Sequence, residues 1–587
     1  MSGRDPLLGV GCRQCAKGLE TQYEQEVMVI VKINLLRKFP WWALFFLGAA
    51  WIFILAPVCT GGFVPGNSGD SRFNLYVLEH FYRWLAGTEG SLLNAPFFYP
   101  YPATIGFSDP HTLTGFLYAG LRFAGVTSND ALCVWFAIGN LLNFLTAYWV
   151  FRKLGLRDLG AGIGAFLFAF SLPCTAQFGH IQLAWRCTVP LGILCLQSYL
   201  EKRRPVVLGV TVLVLAIQTA MSFYLGLFLL LLMGAWIIGW MARQFRSQKA
   251  RSACLIRNLL PATWSKTEVI LLLLLSVVSL AVVLWGVWPN LEASKLYGFK
   301  RGWGEIAAGL PQLRGYLMAF HSNVWWRDHS HLPGLPMWWE QNLFPGLMVI
   351  LACLIGIWPA SWNDNKVIPV AKWSLAILMV ITLSIGGSAV YMMLTKFPAF
   401  SAIRSVSRII LILMFPASLI TGSWIDWLVH ERRGIPVMSI GIALILWTVF
   451  ESANIVKSRV SENDWVNRIA VLKRRVLEKT PVQEISNKIL VVIQSREERK
   501  KWDAFERELD AMLLSQELGI PTMNGYSGNI PQGWSSDNLA ENFASCLRTA
   551  NTFLSVHRLE QAGFAKNNIL CISSDGAELQ PRSGSKK

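Results

Sequence analysis

Apolar runs of roughly 18 residues or more alternate with short polar breaks from Pro40 to Ser452, and a run of that length spans a bilayer as a helix. Window hydropathy predicts about eleven membrane helices, over 41–59, 131–151, 158–176, 185–201, 205–219, 222–242, 268–288, 343–361, 368–386, 406–427 and 434–452. The run over 205–242 is too long for one span, and "QTAMSF" (Gln218 to Phe223) breaks it into a hairpin. The segment 111–126 is apolar but short and carries Arg122. It reads as an interfacial helix on the outer surface. Two long external loops then follow, over about 60–130 and 288–342.

The polar breaks fall into two sets. "FRKLGLRD" (151–158), "EKRRP" (201–205), the 242–266 loop, "NDNK" (363–366) and "HERRG" (430–434) hold most of the short-loop Lys and Arg, while "GHIQLA" and "GGSA" hold almost none. Cytoplasmic loops collect basic residues, so the N-terminus is expected in the cytoplasm and everything after Ser452 outside. The pattern changes in that tail. "KILVVIQS" (488–495) and "NNILCISS" (567–574) read as strands, and 496–519 and "LAENFASCLRTANTF" as helices. The expected architecture is an all-α polytopic membrane protein, about eleven transmembrane helices, with a small extracytoplasmic α/β domain. Its divisions are a cytoplasmic tail over 1–39, a transmembrane domain over 40–452, and a cap over 453–587 with a disordered end.

Composition agrees with a membrane protein. The 587 residues are 53% hydrophobic and 15% charged, with a mean hydropathy of +0.41. The net charge of +17 suits orientation and contact with membrane lipids; no nucleic-acid module is visible, so no nucleic-acid partner is expected. Residues 1–26 lack a signal-peptide core, and "MVIVKINLLRKFPWW" reads like a start at Met28, leaving 1–27 possibly outside the natural protein. Cys12 and Cys15 have CxxC spacing without a second pair. Cys546 and Cys571 could pair if the tail lies in an oxidising compartment.

Ionisable residues gather in the external segments. Asp70 follows the first span within "PGNSGDSR", at the start of a helix holding Arg72, Glu79 and His80. A carboxylate there is either a cap favoured by the helix dipole or a functional group at a membrane mouth. "PFFYPYPATIGFSDPHT" places Tyr99, Tyr101, Asp109 and His111 in a Pro-stiffened loop, with Ser108 or Asp109 as expected cap of the 111–126 helix and Pro110 at its first position. "QFGHIQLAWRC" presents His180, Gln182 and Arg186 in a short hairpin. "AFHSNVWWRDHSHLPGLPMWWEQN" holds His321, Arg327, Asp328, His329, His331 and Glu340. It reads as a polar lid loop, with a metal site as the alternative. Arg404 and Arg408 fall one helical turn apart at the start of a span, facing outward, where they suit a phosphate or lipid headgroups. "NGYSG" (524–528) is a turn, or a tail loop folded onto the cleft with Tyr526 stacking on a sugar.

No P-loop and no GxGxxG opening a helix is present. An enzyme working from outside lacks cytosolic nucleotides, so its activated substrate would arrive on a lipid. A polyprenyl-phosphate-linked sugar meets that need: Arg and His stabilise the leaving phosphate, and a carboxylate takes the acceptor's proton. Asp70 is the expected base, and Arg404 and Arg327 are expected phosphate clamps. Tyr99, Asp109, His111, His180, Gln182, His321, Glu340, Arg408 and Tyr526, with Arg72, Glu79 and His80, are expected substrate contacts.

The first-loop acid, the interfacial helix, the many spans and the tail, with "GDSRFNLYVLEHF", "FYPYPATIGFSDPHTLTG", "FGHIQL", "NLFPGL", "FSAIRSVSRIIL" and "GIPTMNGYSGNIPQGW" over about 40–530, resemble the GT-C superfamily of membrane glycosyltransferases, which use lipid-phosphate sugars. The resemblance implies a GT-C-like fold in the bacterial inner membrane, with Asp70 as the catalytic first-loop acid. A DxD pair is missing from the loop, so a divalent metal ion stays open and no other cofactor is expected. The rival readings are a lipid-linked sugar flippase or solute transporter, which places charges near the midplane, and a non-catalytic envelope-assembly protein.

Overall fold

The computed structural model describes residues 41–247, 260, 265–326, 332–357, 365–431, 435–453, 455, 457–493, 504–534 and 568–573. The described chain is mostly helical. In chain order come α1 (Trp41–Cys59, through a π turn at Trp51–Leu55), β1 (Phe63–Pro65), α2 (Asp70–Leu85), α3 (Gly115–Phe123), α4 (Ser128–Lys153) and α5 (Asp158–Phe170). Then come α6 (Thr188–Lys202), α7 (Pro205–Met221), α8 (Phe223–Ser247), α9 (Lys266–Tyr297), α10 (Leu347–Ile357), α11 (Ile368–Thr382), α12 (Ile410–Glu431) and α13 (Ile435–Ala453). The tail adds β2 (Arg459–Ser461), α14 (Asn463–Lys479), β3 (Ile489–Ile493), α15 (Ala504–Leu518) and β4 (Ile569–Ser573).

Among the described residues six helices are long and apolar enough to cross a membrane: Trp41–Cys59, Ser128–Lys153, Asp158–Gly179, Phe223–Phe245, Lys266–Tyr297 and Val406–His430. Pro205–Met221, Leu347–Gly356, Ile368–Thr382 and Ser439–Ala453 are apolar but shorter, and α6 has 15 residues. The apolar window of Val406–His430 is wholly buried, which makes α12 the central post, whereas that of α9 is only 11% buried and forms the periphery. The expected break in the 205–242 run falls at Ser222, whose extended backbone separates α7 from α8. α9 runs well past its expected end at 288. Pro289 is accommodated inside it, and the helix stops at Gly298, in the left-handed region at φ 61°, where glycine carries no Cβ penalty.

The expected 111–126 helix is nine residues, Gly115–Phe123, and neither Ser108 nor Asp109 caps it. His111 has φ 52°, so the chain turns sharply after Pro110 and cannot enter a helix there. Tyr118 is buried while Phe116 and Phe123 are exposed. The helix thus seals α2 with one face and presents aromatics with the other.

The tail is stitched to the first loop. β1 pairs antiparallel with β2, Val64 opposite Val460. Lys457 Nζ donates to the carbonyl of Phe53, and Arg459 to that of Pro57. The ends of α1 and α13 therefore lie on the same face of the helical layer. Further on, the backbone N–H groups of Tyr99 and Phe98 donate to Thr522 O and Asn524 O, and that of Thr522 to Pro96 O, at 2.8–3.0 Å. β3 pairs parallel with β4 in register Ile489↔Ile569. α14 was not anticipated, although Trp465, Ile469, Leu472 and Val476 recur at helical spacing and are its buried residues. Cys571 on β4 is disulfide-bonded. Cys12, Cys15, Cys546 and the helix expected over "LAENFASCLRTANTF" lie outside the described residues.

Candidate functional site

The turn before α2 sets the site. The side-chain oxygen of Asn67 accepts from the backbone N–H of Gly69 and of Asp70 at 3.0 and 2.7 Å, an Asx turn that fixes the helix start. Its amide nitrogen donates to Gly179 O at 3.1 Å. One asparagine thus holds two distant segments together, so that Asp70, at the first position of α2, meets His180. The Asp70 Oδ2 to His180 Nδ1 distance is 2.5 Å, and the other imidazole nitrogen lies 3.3 Å from Glu340 Oε1. Glu340, 0% exposed, receives Arg408 through two bonds of 3.0 and 2.7 Å, the fork geometry of the strongest ion pairs. The Arg408 guanidinium also lies 5.4 Å over the Tyr224 ring. From the tail, the Tyr526 hydroxyl donates to Asp70 Oδ1 at 3.3 Å, and its ring packs on Phe73 and Phe505.

Electrostatics follow the geometry. Burial pushes the Asp70 carboxyl up, but the His180 hydrogen bond and charge, with Arg408 and Tyr526, hold it below the usual carboxylate range. Burial and Arg408 push His180 down, yet the two carboxylates prevail and its pKa is raised. Glu340 is pushed up by burial and carried well down by Arg408 and His180. Asp109 differs. Burial lifts it to about 6, Arg408 opposes and Asp70 adds to the rise, and no protein group hydrogen-bonds its carboxyl among the described residues. His111 is lowered by burial to about 3. Its Nε2 meets Asn74 Oδ1 at 2.6 Å, and the Asn74 amide donates to Gln182 Oε1 at 3.3 Å and to Asp70 O at 2.6 Å.

The structure therefore brings together Asp70, Asp109, His111, His180, Gln182, Glu340, Arg408 and Tyr526, from sequence positions as far apart as 70 and 526. It engages other expected residues elsewhere. Arg72 is buried against Asp510 at 2.5 Å. Glu79 receives Tyr118 and a forked Arg122, clamping α2 to α3. His80 donates to the carbonyls of Ser91 and Leu92, and burial lowers it to about 4. Tyr99 joins the tail through its backbone. His321, lowered to about 4 by burial, lines a small cavity with Leu172, Met318, Ser322 and Asn342. Arg327, Asp328, His329 and His331 lie outside the described residues.

The two arginines expected side by side on a helix have separate surroundings. Arg404 precedes the helical turn at Val406–Ile409; its side chain is 38% exposed and 3.9 Å from Glu305. Arg408 is committed to Glu340. Tyr224 joins them, its hydroxyl accepting the Arg404 backbone N–H at 3.1 Å. Asn67, Asn74 and Tyr224 were not anticipated. Asn67 alone had a legible signal, an Asn within a Gly-rich turn before a helix. Among the described residues no three or more His, Cys, Asp or Glu side chains could hold a metal ion together, and the Asp70 oxygens already face His180 and Tyr526. Among the described residues no donor set fits a bound divalent ion, and no step is routed through one.

The sequence matches no protein-family model and no curated protein. The structure is similar to the Archaeoglobus fulgidus oligosaccharyltransferase AglB in complex with an inhibitory peptide and a dolichol-phosphate, at 12% identity and a TM-score of 0.45, over 83% of this chain and 64% of that one. It is similar to the apo form of the Archaeoglobus fulgidus oligosaccharyltransferase, at 13% identity and a TM-score of 0.41, over 82% of this chain and 64% of that one. It is also similar to the mycobacterial arabinofuranosyltransferase AftD, at 11% and 0.43, over 77% of this chain and 29% of that one. The chain thus spans less than two thirds of the length of each. Likeness of this degree concerns the path of the chain and carries no chemistry.

Proposed function

We propose that this chain is a glycosyltransferase of the bacterial cytoplasmic membrane, moving a sugar from a polyprenyl-phosphate donor to an extracytoplasmic acceptor. The observation that carries the reading is the Asp70 carboxylate, kept ionised by an imidazole at 2.5 Å, with the partly exposed guanidinium of Arg404 near enough for its charge to act on Tyr526, which bonds Asp70. In this reading the acceptor hydroxyl oxygen attacks the sugar's anomeric carbon. The bond from that carbon to the phosphate oxygen breaks, and its electron pair leaves with the lipid phosphate. The acceptor's proton passes to Asp70, within hydrogen-bond reach of the attacking oxygen. Arg404 meets the leaving phosphate, and Arg327 remains an expected second clamp.

The six long helices and five shorter ones cross the membrane in this reading, with the N-terminus cytoplasmic and residues 453–587 forming a periplasmic cap. The transport reading asks for charges near the midplane. The cluster instead joins the start of α2, the turn at His180, the loop at Glu340 and the tail, which supports an enzyme whose site lies at one face. The test is lipid-linked-sugar profiling of a deletion strain. Accumulation of one polyprenyl-phosphate sugar, cleared by the restored wild-type chain, supports the reading, and an unchanged lipid-linked pool refutes it.

A further inference from the structure

We infer that His180 is a fixed imidazolium bridging Asp70 and Glu340, and that Glu340 and Arg408 are positioning residues for Asp70 rather than contacts for the lipid phosphate. The inference deepens the reading of Asp70 as base and rests on it for its catalytic meaning.

The geometry carries it. An ionised carboxylate only accepts hydrogen bonds, whereas a neutral imidazole offers one donor and one acceptor. Nδ1 of His180 faces Asp70 at 2.5 Å and its other ring nitrogen faces Glu340 at 3.3 Å. A neutral ring would turn a lone pair on one carboxylate; only the doubly protonated ring satisfies both. Glu340 is in turn fixed by Arg408, which enters from the turn preceding α12, the most buried helix, and is itself 6% exposed. Among the described residues the charged and titratable groups around His180 are Asp70 on α2, Glu340 on the loop before α10, and Arg408; Asp109 and Tyr526 face Asp70 beyond them. Asp70, His180, Glu340 and Arg408 sum to zero. A chain of this kind holds the Asp70 side chain in one rotamer with Oδ2 occupied, leaving Oδ1, met among the described residues by the longer Tyr526 bond alone, as the oxygen that takes a proton.

The same arrangement accounts for charge during transfer. When Asp70 accepts the acceptor's proton it becomes neutral, and the chain gains one unit of positive charge through the uncompensated His180. The departing lipid phosphate gains one negative charge in the same step. Preorganised charge that appears as the leaving group develops is worth more than a freely hydrated cation. Arg408, paired with Glu340 throughout, contributes orientation alone.

The experiment is magic-angle-spinning NMR of the full-length chain, labelled with 15N-histidine and reconstituted in lipid, with His180→Asn to assign the signal. In the wild type at pH 7 both His180 ring nitrogens are expected to carry protons. In Glu340→Gln the midpoint falls by about one pH unit or more, as removal of a close opposite charge requires; Glu340→Asp restores part of it. A wild-type His180 that is neutral at pH 7 overturns the inference without any variant, and so does a Glu340→Gln midpoint equal to the wild type. Neither result depends on transferase activity, so failure here is separate from failure of the lipid-linked-sugar test.

Discussion

Arg72 and Asp510 lie 438 positions apart in the chain and meet at 2.5 Å, both buried. The pair joins the first helix of the loop, α2, to α15 of the tail. Arg468 adds a second cation on Asp510, at 2.7 Å, so the carboxylate anchors two elements. Removing one partner of a buried pair leaves an uncompensated charge and costs about 3–5 kcal/mol. Asp510→Ala is expected to release the tail from α2 while α1 to α13 remain folded. Limited proteolysis of reconstituted protein checks this, with cleavage near residues 480–490 accelerated in the variant.

Arg404 and Arg408 separate in the same way. Arg408→Gln strips a buried forked partner from Glu340 and is expected to lower stability by about 3–5 kcal/mol. Arg404→Gln removes a partly exposed cation, and its cost is about 1 kcal/mol or less. Its effect is expected to fall on affinity for the proposed donor. Thermal denaturation of the two purified variants, followed by donor titration of the stable one, separates the roles.

Asp109 works against folding at neutral pH. Its pKa is raised from 3.8 to about 6, so the folded state holds a proton that the unfolded state has already released. Stability then falls as pH rises from about 4 to about 6, and the loss is fully present at pH 7.5. Asp109→Asn is expected to stabilise the protein by up to about 3 kcal/mol at pH 7.5 and to make no difference at pH 3.5. Melting curves at the two pH values check the sign.

The Asp70–His180 pair titrates in the opposite sense at its two ends. His180 is raised above 6.5, so its contribution is complete below 6.5 and is lost as pH climbs through the folded value. Asp70 is lowered below 3.8, so its contribution is complete above 3.8 and is lost as pH falls through the folded value. The wild type is expected to lose stability on the alkaline side of 6.5. His180→Gln is expected to be flat there, and parallel melts from pH 6 to pH 9 compare them.

Much of the helical layout was legible because hydropathy records burial in lipid directly, and the break at Ser222 stands where the polar residues interrupt the run. Helix ends were less so. Pro289 sits inside α9, and the start of α3 is decided by the backbone of His111. β1 and β2 are three residues each and pair across about 400 positions, which no local pattern encodes. In the site, residue types were legible and partners were not. Arg72, Glu79 and His80 are as polar as Asp70, yet their side chains are consumed by Asp510, by Arg122 and Tyr118, and by two carbonyls. That sorting depends on which helix face meets the tail, a tertiary fact.

The central claim is that Asp70 accepts the proton in transfer from a lipid-linked sugar. Asp70→Asn keeps the shape of the side chain and a hydrogen bond to His180 while removing the base. The direct measurement is envelope glycan and lipid-linked-sugar analysis of a deletion strain carrying Asp70→Asn at wild-type abundance. This strain is expected to accumulate the same lipid-linked sugar as the deletion. A glycan profile indistinguishable from wild type contradicts it.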